Sequence, residues 1–211
     1  MRIICKHFKP LNRKKATKVL KRIYDLLENK GINPKICYGT LLGAIREKQL
    51  IETDGDIDLI IMKEHQKKAE RIIKRKIKTE EFLCEDDIIK IKYLETPIDI
   101  YCLTQNGIDT FLSRYTWRHG YKKRFIELIY LIDNNSHVTI NNKAYMTLNY
   151  PIEWIERTYG KDWKTPQLKK GNTWTLTTKI RYFLTEYRQY KIREFKKKLK
   201  LIMEELKRKQ Q

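Results

Sequence analysis

The sequence predicts an α/β (α+β) fold: a mixed β-sheet with flanking helices and a helical C-terminal extension. Three observations predict it. Amphipathic helical segments alternate with short apolar runs over residues 11–78, giving a β-α-β-α order behind a leading helix. Two further runs rich in isoleucine, "DIIKIKYL" and "PIDIYCL", follow each other closely, and a long lysine-rich segment with an apolar stripe closes the chain.

In chain order, "LNRKKATKVLKRIYDLLENKG" places Val19, Leu20, Ile23, Leu26 and Leu27 at helical spacing and stops on Gly31. "NPKICYG" reads as a short strand, "GTLLGAIREK" as a short helix, "DIDLIIM" as a strand and "KEHQKKAERIIKRKIK" as a second charged helix. "DIIKIKYL" and "PIDIYCL" are strands, the second opened by a proline that suits a strand's first residue. "HVTINNKAYMTL" alternates around Asn141-Asn142 and reads as a hairpin. "PIEWIERTYG" carries Pro151 at a first helical position and Gly160 at its stop, and "KDWKTPQLKKGNTW" is a linker. The last helix runs from about Leu176 to the end, with Ile180, Leu184, Tyr187, Phe195, Leu199, Ile202 and Leu206 on one stripe.

The chain has 211 residues, 41% of them apolar, and a formal charge of +20. Such a composition belongs to a globular protein and excludes a disordered tail. Residues 1–30 hold ten Lys/Arg against two acids, and residues 179–211 hold twelve against four. The basic ends suit either solvated helix faces or an anionic partner such as nucleic acid, membrane lipid or a phosphorylated glycan. Cys5, Cys37, Cys84 and Cys102 lack C-x-x-C spacing, so they read as reduced thiols, with no structural zinc. No signal-peptide core and no run of eighteen apolar residues is present. The expectation is a cytoplasmic protein.

Within this basic chain, residues 38–62, "YGTLLGAIREKQLIETDGDIDLIIM", concentrate five acids, and Asp54, Asp56 and Asp58 fall at alternate positions. On a strand Asp56 and Asp58 share a face with Cα atoms about 7 Å apart. Beyond them the run is apolar on both faces, which places the acids at the accessible end of a buried strand. Two like charges about 4 Å apart repel by about 4 kcal/mol at an effective dielectric of about 20, so a cation must offset them. Mg²⁺ (or Mn²⁺) fits, being held by one or two carboxylates together with substrate phosphates. Asp99, between Ile98 and Ile100 in "PIDIYCL", is the third carboxylate expected to reach the pair from a neighbouring strand. Upstream, Gly39-Thr40 ends a strand and opens a helix, whose first amides form an anion site for phosphate. Gly43 is expected to let that helix pack close to the sheet, and Arg46 to pair with phosphate. For Asp54 alone the ordinary reading is a turn residue.

Gly39-Thr40 followed by "GDIDLII" resembles the nucleotidyltransferase superfamily of the polymerase-β type. The longer stretch "YGTLLGAIREKQLIETDGDID" is similar to the LicD/fukutin group within it, whose segment reads G-T-L-L-G-x-x-R, a hydrophobic pair, then D-D-D-I-D. "IERTYGKDWKTP" resembles the group's Y-G-x-D-[WY]-x-T-P motif, and "PIDIYCL" its hydrophobic-D-I-F strand. The chain departs from the group at Glu52-Thr53, where Pro-Trp is usual, and at Gly55, which replaces the middle acid of the run. The resemblance covers about residues 11–170.

The resemblance implies a nucleotidyltransferase-type catalytic domain over residues 1–175, followed by a basic amphipathic helix over 176–211. It implies transfer of a phospho-substituent, such as phosphocholine or a phospho-alditol, from a CDP-linked donor to a sugar hydroxyl of a surface glycan. Asp56, Asp58 and Asp99 are then the catalytic, metal-binding carboxylates; Gly39, Thr40 and Arg46 hold donor phosphate; Asp54, Tyr159 and Trp163 line the substrate pocket or, for the Tyr159–Pro166 motif, close the core. The partners implied are a nucleotide-diphosphate donor and a glycan or lipid-linked glycan acceptor, with a peripheral contact between the tail and anionic membrane. The alternatives are another nucleotidyltransferase adding an NMP to a sugar, small molecule or RNA end, a non-enzymatic nucleic-acid binder, and a partner-binding protein that has lost catalysis.

Overall fold

Asn12 starts the first helix, α1 (Arg13–Glu28), by accepting the Lys15 amide at 3.1 Å, as an N-cap side chain does. Ala16, Val19, Leu20, Ile23, Tyr24 and Leu27 form its buried face. It closes where Gly31, at φ +67°, turns the chain so that the Ile32 amide reaches the Leu27 carbonyl at 3.1 Å. The computed structural model describes residues 10–85, 87–105, 110–112, 126–127, 130–131 and 136–166. The expected C-terminal helix over 176–211, and its boundary with 1–175, lie outside them.

A mixed sheet forms the centre, with the order β1 (Lys35–Ile36), β2 (Ile57–Met62), β5 (Thr96–Gln105), β4 (Ile88–Tyr93), β3 (Glu81–Glu85). β6 (Thr110–Leu112) extends it beside the far end of β5, and β7 (Ile126–Glu127) pairs with β6. Only the β2–β5 pair is parallel in the central path; β1–β2, β3–β4 and β4–β5 are antiparallel. The parallel crossover carries a 3₁₀ turn (Lys63–His65) and α3 (Gln66–Lys76). α2 (Tyr38–Glu47) fills the connection between β1 and β2.

β2 is buried on both faces through Ile61, as its apolar run demands. Lys63 at its end pairs at 2.6 Å with the buried Asp87 at the β3–β4 turn, and the Cys102 amide donates to the Asp87 carbonyl at 2.8 Å. β3, "EFLCE", was not among the expected strands: charged ends and partial exposure mark it as an edge strand without a clean alternation. Cys37, Cys84 and Cys102 are free thiols, and burial pushes Cys102 up to about 12. No helix of the described residues is long and apolar enough to cross a membrane.

The expected hairpin is β8 (His137–Ile140) and β9 (Lys143–Met146), with Asn141 and Asn142 at φ +46° and +64°. Asparagine tolerates this left-handed turn without glycine. The hairpin packs on α1: Tyr145 meets Tyr24 edge-on with ring centroids 4.9 Å apart, and the Met146 amide donates to the Tyr24 hydroxyl at 2.8 Å. Lys143 lies over both rings and pairs with Asp25. α4 (Pro151–Tyr159) and a 3₁₀ turn (Lys161–Lys164) follow, replacing the first residues of the expected linker.

Gly43 is needed against the return loop rather than the sheet: a Cβ there would lie 2.5 Å from the Gln49 carbonyl oxygen and 3.0 Å from the Ile51 nitrogen. Gly43→Ala therefore destabilises the fold by about 1–3 kcal/mol, outweighing the ~1 kcal/mol that alanine gains as a helix former; urea unfolding measures it. A second outcome concerns alkaline pH. Burial pushes both Tyr24 and Tyr145 up to about 12, whereas unfolded tyrosine titrates near about 10. The unfolded chain then loses protons first, so stability holds below pH ~10 and declines through pH ~12. The Tyr145 hydroxyl is buried with no hydrogen-bond partner among the described residues. Tyr145→Phe should leave stability at neutral pH unchanged or raised and should flatten the alkaline decline, read from urea midpoints across that range.

Candidate active site

The acidic loop is fixed before it carries any chemistry. The Leu11 amide, ahead of α1, donates to the carbonyls of Glu52 and Asp54 at 3.1 and 3.0 Å, and the Asp54 amide donates to the Ile51 carbonyl at 3.1 Å. Asp54 Oδ1 also accepts the Gly55 amide at 3.0 Å, so Asp54 is a turn residue as read. Its other oxygen has a second setting. It occupies the place where a Gly39 Cβ would stand, only 1.9 Å from that position. Glycine at 39 is what allows the loop to lie against the start of α2.

Gly39 and Thr40 also hold Asp58. The Gly39 amide donates to Asp58 Oδ2 at 3.2 Å, and the Asp58 amide donates to the Thr40 hydroxyl at 2.9 Å. The Cys37 amide reaches the Asp58 carbonyl at 3.3 Å. The N-cap residue Cys37 makes no side-chain cap, so the Asp58 carboxylate at the amino end of α2 supplies that function, with the helix dipole in its favour. Tyr38, at φ +44°, absorbs the sharp entry into α2; such strain persists where surrounding contacts over-determine it.

One ligand oxygen from each of Asp54, Asp56 and Asp58 lies within 4.8 Å of the other two. Asp58 is buried, and the other two are half-buried. An all-oxygen set of three carboxylates fits a hard cation such as Mg²⁺ or Mn²⁺. Asp54, expected as a turn residue and pocket candidate, completes the tight cluster with Asp56 and Asp58, and Asp99 is not part of that group.

Asp99 sits one strand away. It is directly opposite Asp58 in the parallel β2–β5 register and, on its other side, opposite Lys90 of β4. Lys90 Nζ is 2.5 Å from Asp99 Oδ2, and the Asp99 side chain is 6% exposed. Tyr101 lies two residues further along the same strand. Burial raises its hydroxyl well above the usual tyrosine range, and the charges of Asp58 and Asp99 add to the effect. Its ring is edge-on to Tyr38 at 5.2 Å, and Tyr38 packs at 5.4 Å from Trp154 of α4. Lys90 was missed in the sequence, although a lysine inside "IIKIK" is a signal: a charge on a buried strand calls for a partner on the next one.

Arg46 stands at the opposite end of α2 from Gly39. Its guanidinium contacts Glu47 at 2.7 Å and the Trp163 carbonyl at 3.4 Å, and Glu47 also binds Arg13 at 2.6 Å. Trp163 is buried in the core cluster, while Tyr159 is 40% exposed. The Tyr159–Pro166 motif is therefore tied to α2 through Arg46. Arg46→Ala breaks a largely buried charged link and leaves the Trp163 carbonyl without it, so a loss of about 1–3 kcal/mol is expected in thermal or urea unfolding.

A comparison with curated protein sequences finds no match. Three solved structures show a distant similarity to the chain. The protein TM1012 of Thermotoga maritima is 17% identical with a TM-score of 0.44, covering 72% of this chain and 88% of its own. The lincosamide antibiotic adenylyltransferase LnuA, with lincomycin bound, is 14% identical with a TM-score of 0.47, covering 84% and 98%. ANT(2")-Ia in complex with adenylyl-2"-tobramycin is 13% identical with a TM-score of 0.45, covering 82% and 87%. The family model described as LicD/FKTN/FKRP, nucleotidyltransferase domain, matches residues 31–167. This span is well over half of the chain and contains Gly39, Thr40, all four aspartates and the Tyr159–Pro166 motif, so the protein belongs to the LicD/FKTN/FKRP nucleotidyltransferase-domain family.

Proposed function

We propose that this transferase moves a phospho-substituent, such as phosphocholine or a phospho-alditol, from a CDP-linked donor to a sugar hydroxyl of a surface glycan. One observation carries the reading: three carboxylates converge at the amino end of α2, with a fourth, Asp99, in register beside them. Family membership supports the coarser reading of a glycan-modifying transferase.

Asp54, Asp56 and Asp58 would hold the divalent ion. When bound, that ion neutralises phosphate charge on the donor and on the departing group. Gly39 and Thr40 keep Asp58 in place and set the helix amino end toward donor phosphate. Asp99 takes the proton from the acceptor hydroxyl. The sugar oxygen then forms a bond to the phosphorus of the transferred group, the bridging P–O bond of the donor breaks, and CMP leaves with that electron pair. Arg46, engaged with Glu47 and Trp163, serves donor binding by holding α2 against the Tyr159–Pro166 motif. Outside the described residues, the part of the basic tail from about Lys191 is assigned to an anionic membrane surface or a lipid-linked acceptor, where each Lys/Arg contributes about 1 kcal/mol.

The test is thermal stabilisation of the full chain with Mg²⁺ and, in turn, CDP-choline, CDP-ribitol and each NTP. A CDP-linked donor at about 100 times its dissociation constant should add about 2.7 kcal/mol. Stabilisation by an NTP alone would assign the protein to NMP transfer instead. In the same series Asp58→Asn, which retains an acceptor for the Gly39 amide, should fold normally and lose more than about 100-fold in turnover; turnover within tenfold of the parent chain would remove Asp58 from the metal site.

A further inference from the structure

Four carboxylates in one place raise the question of how many divalent ions they take, and the side chain on β4 answers it. Two oxygens bound to one Mg²⁺ at about 2.1 Å lie at most about 4.2 Å apart. Asp54, Asp56 and Asp58 already bring their oxygens within 4.8 Å, close to the span of a single ion. Asp99 stands outside this group, although the register sets it beside Asp58. Its carboxylate is turned to the Lys90 ammonium, which reaches it at 2.5 Å from the strand on the other side. The Lys90 side chain is only 20% exposed, and Asp99 is more deeply buried. A second ion at Asp99 Oδ2 would have to displace an ammonium from a buried carboxylate, and one at the other oxygen would sit against that ammonium's charge.

From this arrangement we infer that Lys90 is a built-in counter-ion for Asp99, so that the site takes one divalent ion, at Asp54, Asp56 and Asp58, with the lysine ammonium standing where a second ion would bind. The inference rests on the metal reading above and goes beyond it. With four carboxylates and Lys90, one divalent ion leaves a net charge of −1, whereas two would leave +1. The first value keeps the site anionic, whereas the second would crowd two divalent ions and an ammonium around the same carboxylates. Lys90 acts through Asp99 and is a positioning residue: it keeps Asp99 out of the coordination shell and available to the acceptor.

Manganese binding to the purified full chain tests this, with stoichiometry from a titration followed by electron paramagnetic resonance and native mass spectrometry. The chain should bind one Mn²⁺, Lys90→Arg should also bind one because a cation is retained, and Lys90→Met should bind two, with spin coupling between them. Asp99→Asn should change affinity for the first Mn²⁺ by less than about threefold, against about 100-fold or more for Asp56→Asn, which removes a direct ligand. The Asp99→Asn comparison decides the matter alone if Lys90→Met fails to fold. Two ions in the parent chain, one ion in a folded Lys90→Met, or an Asp99→Asn loss as large as that of Asp56→Asn would each overturn the counter-ion role while leaving the metal reading intact. No Mn²⁺ bound by the parent chain would overturn the metal reading itself.

Discussion

Like-charged carboxylates do not gather of their own accord, and the rest of this structure depends on the clasp that holds one of them. Asp58 is tied to α2 in both directions, its side chain accepting the Gly39 amide and its own amide donating to Thr40. That exchange fixes β2 to the start of α2. The loop between them then has only one place to go, folded back along α2 past Gly43 and down beside Gly39, where Asp54 completes the cluster. The repulsion among three anions, about 4 kcal/mol per close pair at an effective dielectric of about 20, is thus borne by hydrogen bonds to the helix and by the Leu11 amide on the loop.

The glycines divide the labour. Gly31 serves a backbone conformation, at φ +67°, but Gly39 and Gly43 serve proximity, one to a carboxylate and the other to a carbonyl. Both sit on the inner side of α2, so that short helix is pressed between the acidic loop and the core. Its carboxyl end is secured separately, through Arg46 and Glu47 to Arg13 and the Trp163 carbonyl. α2 is therefore anchored at each end by charge and in the middle by close backbone approach. A helix of ten residues has little stability of its own; here its position comes from its neighbours.

Much of this was legible in the residues. Periodicity revealed α1, and the apolar run after Asp58 revealed a strand buried on both sides; Asp99 between two isoleucines announced its face. The hairpin at Asn141-Asn142 was readable because asparagine accepts the left-handed turn. What escaped were relations set by register and closure. β3 has no clean alternation to find. Asp54 joined the cluster because the return loop has a definite path, and spacing alone describes a turn equally well. Gly43 was read toward the sheet, since the close passage of Gln49–Ile51 is a property of the loop. Arg46 was read toward phosphate, whereas its bond to its immediate neighbour Glu47 arises at a helix end, where adjacent side chains escape the usual rule that they point apart. Lys90 needed the pairing of two strands to acquire a partner.

The parallel pairing of β2 with β5 has a temporal consequence. Asp54, Asp56 and Asp58 lie within five residues of one another and meet through a local loop, whereas Asp99 reaches Asp58 only after the whole crossover through α3 and the β3–β4 hairpin is in place. Contacts between distant parts of a chain must overcome loop-closure entropy before they reward it, so parallel pairing is the slow kind. The fourth carboxylate and its lysine therefore carry a loop-closure cost that the local acidic cluster does not. Asp99 and Lys90 stand opposite each other on adjacent strands, so the pairing that completes the sheet is also what brings their ion pair beside Asp58.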